Sequence, residues 1–337
     1  MIKTLKKRTR KKLFTTPSHA QKFCIFSKLK QLYKYDISEV DEYNPQEALK
    51  KSQQRAAKIY GTNYTYYLTN GSTSGIIAAV LACVKQGEKV LIWNKAHRCH
   101  ENAVKLAGGI PVYYNLEKDN EWGIYKSAPT SIIKKDVKAI IVTSPTYYGI
   151  TSDIEALSKL CKQYGVFLIV DEAHGALYPF GLNKSAICQG ADFVIQSLHK
   201  TAGGLNPTAL LHNNTNRDVQ PFLDMITTTS PSYPLLASIE KNINYLNSSK
   251  GRKKIKELIK NIENLKEDVK TVDFLQGHDI TKIVIKKQGM SGFELSEFLF
   301  KNNIEDEITN EKSTMLLCGI GTDKKMFTHL KNVLNKL

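Results

Sequence analysis

Between Val166 and Lys200 the chain twice carries a short apolar run to an abrupt polar end. Val166-Phe-Leu-Ile-Val170 stops at Asp171-Glu172, and Asp192-Phe-Val-Ile195 stops at Gln196-Ser-Leu-His-Lys200. Apolar runs this short read as strands buried on both faces of a parallel sheet. Ligands of open α/β sheets collect at the carboxyl ends of the strands. The pattern therefore delivers Asp171 and Lys200 to one crevice, whereas either residue alone would say little in a chain so rich in lysine.

The rest of the chain has the same alternation. Asn44-Pro45-Gln-Glu47 has the N-cap, N1 and N3 residues of a helix start, and Gly61 suits its end. Tyr64 to Thr69 reads as a strand, followed by Asn70-Gly-Ser-Thr-Ser-Gly75 and a helix from Ile76 to Lys85. Further short strands are expected at 90–93, 111–114, 139–143, 166–171, 193–196 and 209–212, with a helix opening at Ser152-Asp-Ile-Glu155 and ending at Gly165. These predict an α/β fold, a mainly parallel sheet with helices on both faces. One long helical stretch, Leu235 to Val269, leads to strands at 281–287, 304–308 and 314–318. Helices are expected from Ser291 to Asn302 and from Asp323 to Leu337. The expected organisation is an N-terminal arm (1–43), a large domain (44–250) and a small α+β C-terminal domain (251–337).

The net charge of +16 invites a polyanion-binding reading. Its distribution argues against one, because lysines alternate with glutamates along helix faces and only Lys3 to Lys12 is dense. Neither nucleic acid nor membrane is expected as a partner. The cysteines (Cys24, Cys83, Cys99, Cys161, Cys188, Cys318) include no C-x-x-C pair, no signal-peptide core follows the basic start, and no apolar run approaches a membrane span. The expectation is a cytoplasmic protein with reduced thiols.

Several residues carry possible chemistry. The hydroxyls and small residues of Asn70 to Gly75, at a helix start, suit a phosphate, though they serve equally as a polar turn. Asp171 needs a cationic partner if buried. A lysine that acts as a free amine must be shifted down from about 10.4, which burial of Lys200 would do. His97 and His100 lie three apart in Asn94-Lys-Ala-His-Arg-Cys-His100, without the acidic or cysteine companions of a zinc site, so no metal is expected. One flat imidazole is enough to stack on a ring.

These segments together resemble the bacterial ornithine/lysine/arginine decarboxylases, pyridoxal-phosphate enzymes of fold type I with the aspartate-aminotransferase fold. The resemblance runs from about Asp36 onward, through TNGSTSG (69–75), AHRCHENAV (96–104), SPTYYGI (144–150), VDEAHGA (170–176), QSLHKTAGGLNPTALLH (196–212) and TTTSPSYPLLASIE (227–240). It implies that Lys200 holds pyridoxal 5'-phosphate as a Schiff base and that Asp171 keeps the ring nitrogen protonated. It places His97 on one ring face and Ala173 on the other, with Ser72, Thr73, Ser197 and His199 as phosphate-side and near-lysine contacts. Thr229 or Ser230 is implied to reach a neighbouring subunit's phosphate, which makes a homodimer the smallest active unit. His199 or Lys200 is implied to return a proton to Cα.

Two departures stand out. Pro17-Ser-His-Ala20 replaces a P-G-H-K-like motif, and the sequence stops after its small domain, so a short form of the family is expected. The implied activity is decarboxylation of arginine, lysine or ornithine to a polyamine-type amine, with another fold-type-I reaction such as an aminotransferase or lyase as the alternative. A non-catalytic basic binding protein is disfavoured by the presence of Asp171, His97 and Lys200. The arginines are Arg8, Arg10, Arg55, Arg98, Arg217 and Arg252, so none in the small domain past Arg252 can clamp a substrate carboxylate as many aminotransferases do. Glu305, Asp306 or Glu307, or the partner subunit, is expected to meet the substrate's cationic end.

Overall fold

The computed structural model describes residues 1–3, 6, 34–37 and 45–337. Asn44, Cys24, Pro17-Ser-His-Ala20 and most of the basic run from Lys3 to Lys12 lie outside the described residues.

Seven strands form the main sheet: β1 (Tyr64–Leu68), β2 (Lys89–Trp93), β3 (Ile110–Tyr114), β6 (Ala139–Thr143), β7 (Phe167–Asp171), β8 (Phe193–Ser197) and β9 (Ala209–Asn213). A small hairpin, β4 (Lys118–Asp119) with β5 (Ile124–Tyr125), interrupts the series. The spatial order is β1-β9-β8-β7-β6-β2-β3, and β9 alone runs against the others. The mainly parallel α/β sheet read from the sequence is thus the observed one.

Side chains alternate between the two faces of the sheet. Ile169, Phe193 and Ile195 face α2 (Gly71–Cys83), α3 (Cys99–Leu106) and α6 (Gln220–Ile226) in one apolar core. Leu168, Val170 and Val194 face the opposite core, where α1 (Pro45–Tyr60), α4 (Ile154–Tyr164), α7 (Tyr233–Leu246) and α8 (Ser249–Asp268) pack. Helix α4 has the ends its sequence asks for: Asp153 accepts from the Ala156 N–H, and Gly165 closes it with φ of 69°.

Helix α2 begins at Gly71, not at the expected Ile76, so the small-residue segment is itself the first helical turn. Gly75 explains the need for small residues. A Cβ there would lie 2.8 Å from Leu68 Cδ1 and 3.1 Å from Ile195 Cγ2, so only glycine lets the helix settle on β1 and β8.

The long helical stretch expected from Leu235 to Val269 is two helices, α7 and α8. Ser248 caps the second by accepting from the Gly251 N–H. Gly251 allows the fold-back, because a Cβ there would meet the Tyr245 carbonyl at 2.1 Å. The expected boundary at residue 250 falls in the first turn of α8.

A second, antiparallel sheet has the order β10 (Asp273–Phe274), β11 (Lys282–Lys286), β13 (Thr314–Leu317), β12 (Ile308–Thr309). Helix α9 (Gly292–Lys301) opens with a full capping box between Ser291 and Glu294, and α10 (Lys324–Leu334) closes the chain's elements. The strand expected over 304–308 is a correction: only Ile308–Thr309 pair. The Asp306 carboxylate accepts from the hydroxyls of Ser296, Thr309 and Thr314, and of residues 304–307 Glu307 bonds β13, through its N–H to the Met315 carbonyl.

Candidate active site

Three neighbouring parallel strands end in polar side chains at the same edge: Thr143 on β6, Asp171 on β7 and Ser197 on β8. Register sets them side by side, with Thr143 opposite Asp171 and Asp171 opposite Ile195. Strand alternation then separates the two adjacent acids. Asp171 follows Ile169 onto the face of α2 and α3, and Glu172 turns to the other face, where Ser185 Oγ, Ala186 N–H and Gln196 Nε2 donate to it.

Asp171 is buried. Its Oδ2 lies 2.8 Å from His100 Nε2, and its Oδ1 accepts from the Ala173 N–H at 3.1 Å. Burial alone would raise its pKa. The His100 hydrogen bond and charge, with Lys200 and the Ala173 amide, outweigh that and hold it at about 2. A buried carboxylate is thus kept ionised.

Lys200 sits on α5 (Leu198–Thr201), the single turn that follows β8. Burial lowers its pKa, helped by the positive charge of Lys282 and opposed by Asp171. Its Nζ is 3.1 Å from Nε2 of His174, whose own pKa burial pushes well below the ordinary value, so that imidazole is neutral. The Tyr147 ring leans on His174 with centroids 4.7 Å apart. His199 donates from Nδ1 to the Thr208 carbonyl at 3.2 Å.

The first turn of α2 carries Ser72 and Thr73, and Thr73 reaches the same crevice through Cys99. Asn70 offers no side-chain cap, so the N–H groups of the first turn have no intrahelical partner. Thr73 hydrogen-bonds the Cys99 thiol, which burial pushes up to about 12. Cys99, His100 and Asp171 place ligand-type atoms within 4.8 Å of one another. Ser197 Oγ, Thr143 Oγ1 and the Nδ1 atoms of His100 and His174 are buried without hydrogen-bond partners.

The structure brings together Asp171, Ala173, Ser197, Lys200 and, through Cys99, Thr73, with Ser72 preceding it in the first turn of α2. His97 stands nearer the solvent, close enough for Asp171 and Lys200 to influence it, and its Nδ1 accepts from the Cys99 N–H. Thr229 and Ser230 lie exposed between α6 and α7, where Thr228 and Thr229 border an open cleft shared with Thr69 and Tyr66. No contact within the chain joins them to Lys200 among the described residues. Sequence reasoning missed three neighbours: His100, His174 and Tyr147. Their signals were present in H-x-x-H, in the histidine of VDEAHGA and in SPTYYGI.

Comparison with known proteins adds the decisive observation. The pattern described as "Orn/Lys/Arg decarboxylase, major domain" matches residues 29–286. The chain belongs to that family. It is 30% identical to the uncharacterized protein YaaO of Bacillus subtilis over 93% of this chain and 72% of that one. It is 29% identical to the arginine decarboxylase of the same organism over 80% of this chain and 61% of the relative. The lysine decarboxylase LdcF of Francisella novicida superposes with a TM-score of 0.86 at 18% identity, covering 98% of this chain and 59% of that one. The chain spans only about three fifths of those two decarboxylases. No helix among the described residues is long and apolar enough to cross a membrane.

Proposed function

We propose that this chain is a pyridoxal-phosphate-dependent decarboxylase of a basic amino acid, arginine, lysine or ornithine, releasing carbon dioxide and the corresponding amine. The observation that carries the reading is the convergence of an ionised, buried Asp171 and a partly buried, pKa-lowered Lys200 at the ends of adjacent strands. The residues fit the cofactor. Asp171 matches a protonated ring nitrogen, Lys200 an aldehyde carbon, and the uncapped first turn of α2, with Ser72 and Thr73, a phosphate. The unpartnered Ser197 and Thr143 hydroxyls and His174 Nδ1 supply further polar contacts.

Pyridoxal phosphate, when bound, supplies a sink for the electron pair left as the carboxyl group departs from Cα. Asp171, by remaining charged, would hold a proton on the ring nitrogen. His97 at the crevice mouth and Ala173 beside Asp171 would hold the ring between them. Lys200 Nζ, or His199 when protonated, would be the group to return a proton to Cα. Absence of arginine after Arg252 leaves the small sheet without a bidentate clamp on the carboxylate, which favours its loss over amino transfer. Four buried free thiols, Cys83, Cys99, Cys161 and Cys318, suit a reducing cytoplasm. Exposed Thr229 and Ser230 suit a contact across a homodimer.

The test is direct. Purified protein with pyridoxal phosphate is offered arginine, lysine and ornithine, and carbon dioxide and agmatine, cadaverine or putrescine are measured. Amino transfer to a 2-oxo acid, with no amine from any of the three, would assign the chain to another reaction of this fold.

A further inference from the structure

We propose that Lys282, held by Asp279, is a positioning residue for Lys200: the pair bolts the small sheet to the two turns that border the lysine and keeps a positive charge near it. This rests on the reading of Lys200 as the cofactor's amine and is independent of which reaction follows.

Lys282 opens β11, and its side chain is wholly enclosed, as is that of Asp279, 3.3 Å away. A buried ion pair is costly unless further hydrogen bonds complete it. This one is completed. Asp279 Oδ2 also accepts from the Tyr178 hydroxyl at 3.0 Å, and Oδ1 accepts from the N–H and the hydroxyl of Thr281. The Lys282 ammonium reaches the Thr281 hydroxyl as well, at 3.3 Å.

These contacts converge on Lys200. Tyr178 follows His174 in the segment after β7, and His174 Nε2 is 3.1 Å from Lys200 Nζ. The turn between β6 and α4 rests on the pair from the other side. There the Asp279 N–H donates to the Gly149 carbonyl, and a Cβ on Gly149 would lie 2.8 Å from Lys282 Cγ. The same turn carries Tyr147, whose ring packs on His174 and whose hydroxyl donates to Glu307 at 2.8 Å. Next to the lysine itself, the Cys318 N–H donates to the Thr281 carbonyl and the Ile320 N–H to the carbonyl of Thr201.

The charge belongs to the same arrangement. Lys200 faces Asp171 from β7, Cys99 from α3, Glu307 from the small sheet, His174 from the segment after β7 and His97 from the turn before α3, with His199 beside it in the chain. Burial shifts both His97 and His174 toward the neutral form. Asp171 and Glu307 favour a protonated Lys200, and the Lys282 ammonium opposes them. Burial pulls the Lys282 pKa down as well, while Asp279 holds it up. Asp279 thus keeps charged the group that readies Lys200 to lose its proton.

The experiment follows capture of pyridoxal phosphate on Lys200 of the purified chain, read as the borohydride-fixed adduct by mass spectrometry across a pH series. Lys282→Met combined with Asp279→Asn removes both charges at once, a change that buried pairs tolerate better than loss of one partner. Capture at pH 7 should fall about 3- to 10-fold, the loss of free amine for a rise of roughly half to one pKa unit. The gap should close toward pH 10. Capture unchanged at pH 7 would overturn the proposal, and so would a loss by the same factor at every pH, which a merely structural pair would give. If the double variant does not fold, NMR of wild type carrying carbon-13-labelled lysine replaces it. The Lys282 resonance should then read as charged at pH 7, and a neutral Lys282 overturns the proposal. Amine release plays no part, so a chain that captures the cofactor and decarboxylates nothing loses the reaction assignment and keeps this inference. If wild type captures none on Lys200, acetylation of Lys200 by acetic anhydride is followed over the same series, with the same expected and overturning results.

Discussion

Lys200 Nζ stands 3.1 Å from Nε2 of His174, and burial disfavours the charged form of both partners. Two basic groups this close would repel if both were protonated. The fold thereby favours a state in which the imidazole is neutral and the lysine gives up its proton more readily than a surface lysine. That is the condition for capturing an aldehyde at neutral pH. The pair also places the imidazole against the amine on the side where Tyr147 and Glu307 enter.

Lys200→Ala should abolish the covalent cofactor adduct. Borohydride treatment of wild-type protein incubated with pyridoxal phosphate should leave a stable modification on the peptide containing Lys200, found by mass spectrometry. The same stable adduct in Lys200→Ala would show that another lysine carries the cofactor.

Asp171→Asn should lower turnover by about 10²–10³, the range seen when electrostatic stabilisation of developing charge is removed. It should also change acid stability. Asp171 titrates at about 2 in the fold and about 3.9 in an unfolded chain. Its stabilising contribution is present above the unfolded value and is lost as pH falls toward 2. Acid titration followed by circular dichroism should show that slope in wild type and a shallower one in the variant.

Glu172 should behave in the opposite sense. Burial raises its pKa to about 7 against donors from Ser185, Ala186 and Gln196. A raised carboxyl pKa contributes stability below the unfolded value of about 4.3, and that contribution is lost as pH climbs through 7. Glu172→Gln should narrow the difference in thermal midpoint between pH 5 and pH 8, an effect on the order of 2 kcal/mol. A difference as wide as that of wild type would mean the carboxyl stays ionised in the fold.

Mixing Lys200→Ala chains with chains altered at Thr229 and Ser230 should restore part of the activity in hybrid dimers. The motive is that both residues are exposed and, among the described residues, hydrogen-bonded to nothing around Lys200 in their own chain. Hybrids that form and stay inactive would place each complete site within one chain.

The sequence made the sheet legible because runs such as Ala139-Ile-Ile-Val-Thr143 and Phe167-Leu-Ile-Val-Asp171 have one reading, and the polar residue ending each run marks the crevice. Asp171 and Lys200 were accessible by the same logic. His100 and His174 were not, because which imidazole meets which charge depends on how α3 and the turn after β7 pack. Two histidines three apart leave that open. The break at Asn247-Ser248 hid inside a helical periodicity continuous on both sides, and Gly251 was its only trace. The acidic stretch at 304–308 alternates like a strand, and the pattern does not show that the Asp306 carboxylate gathers three hydroxyls.

Gly75 has a mechanical consequence. Because α2 rests on β8 with no room for a methyl group, the helix end suited to an anion is packed directly on the strand that leads to Lys200. Accommodation of a longer or shorter side chain then cannot come from lifting that helix. It falls to the opposite rim, where the turn bearing Tyr147 meets residues 304–307, and there evolution can retune fit without disturbing the anchor.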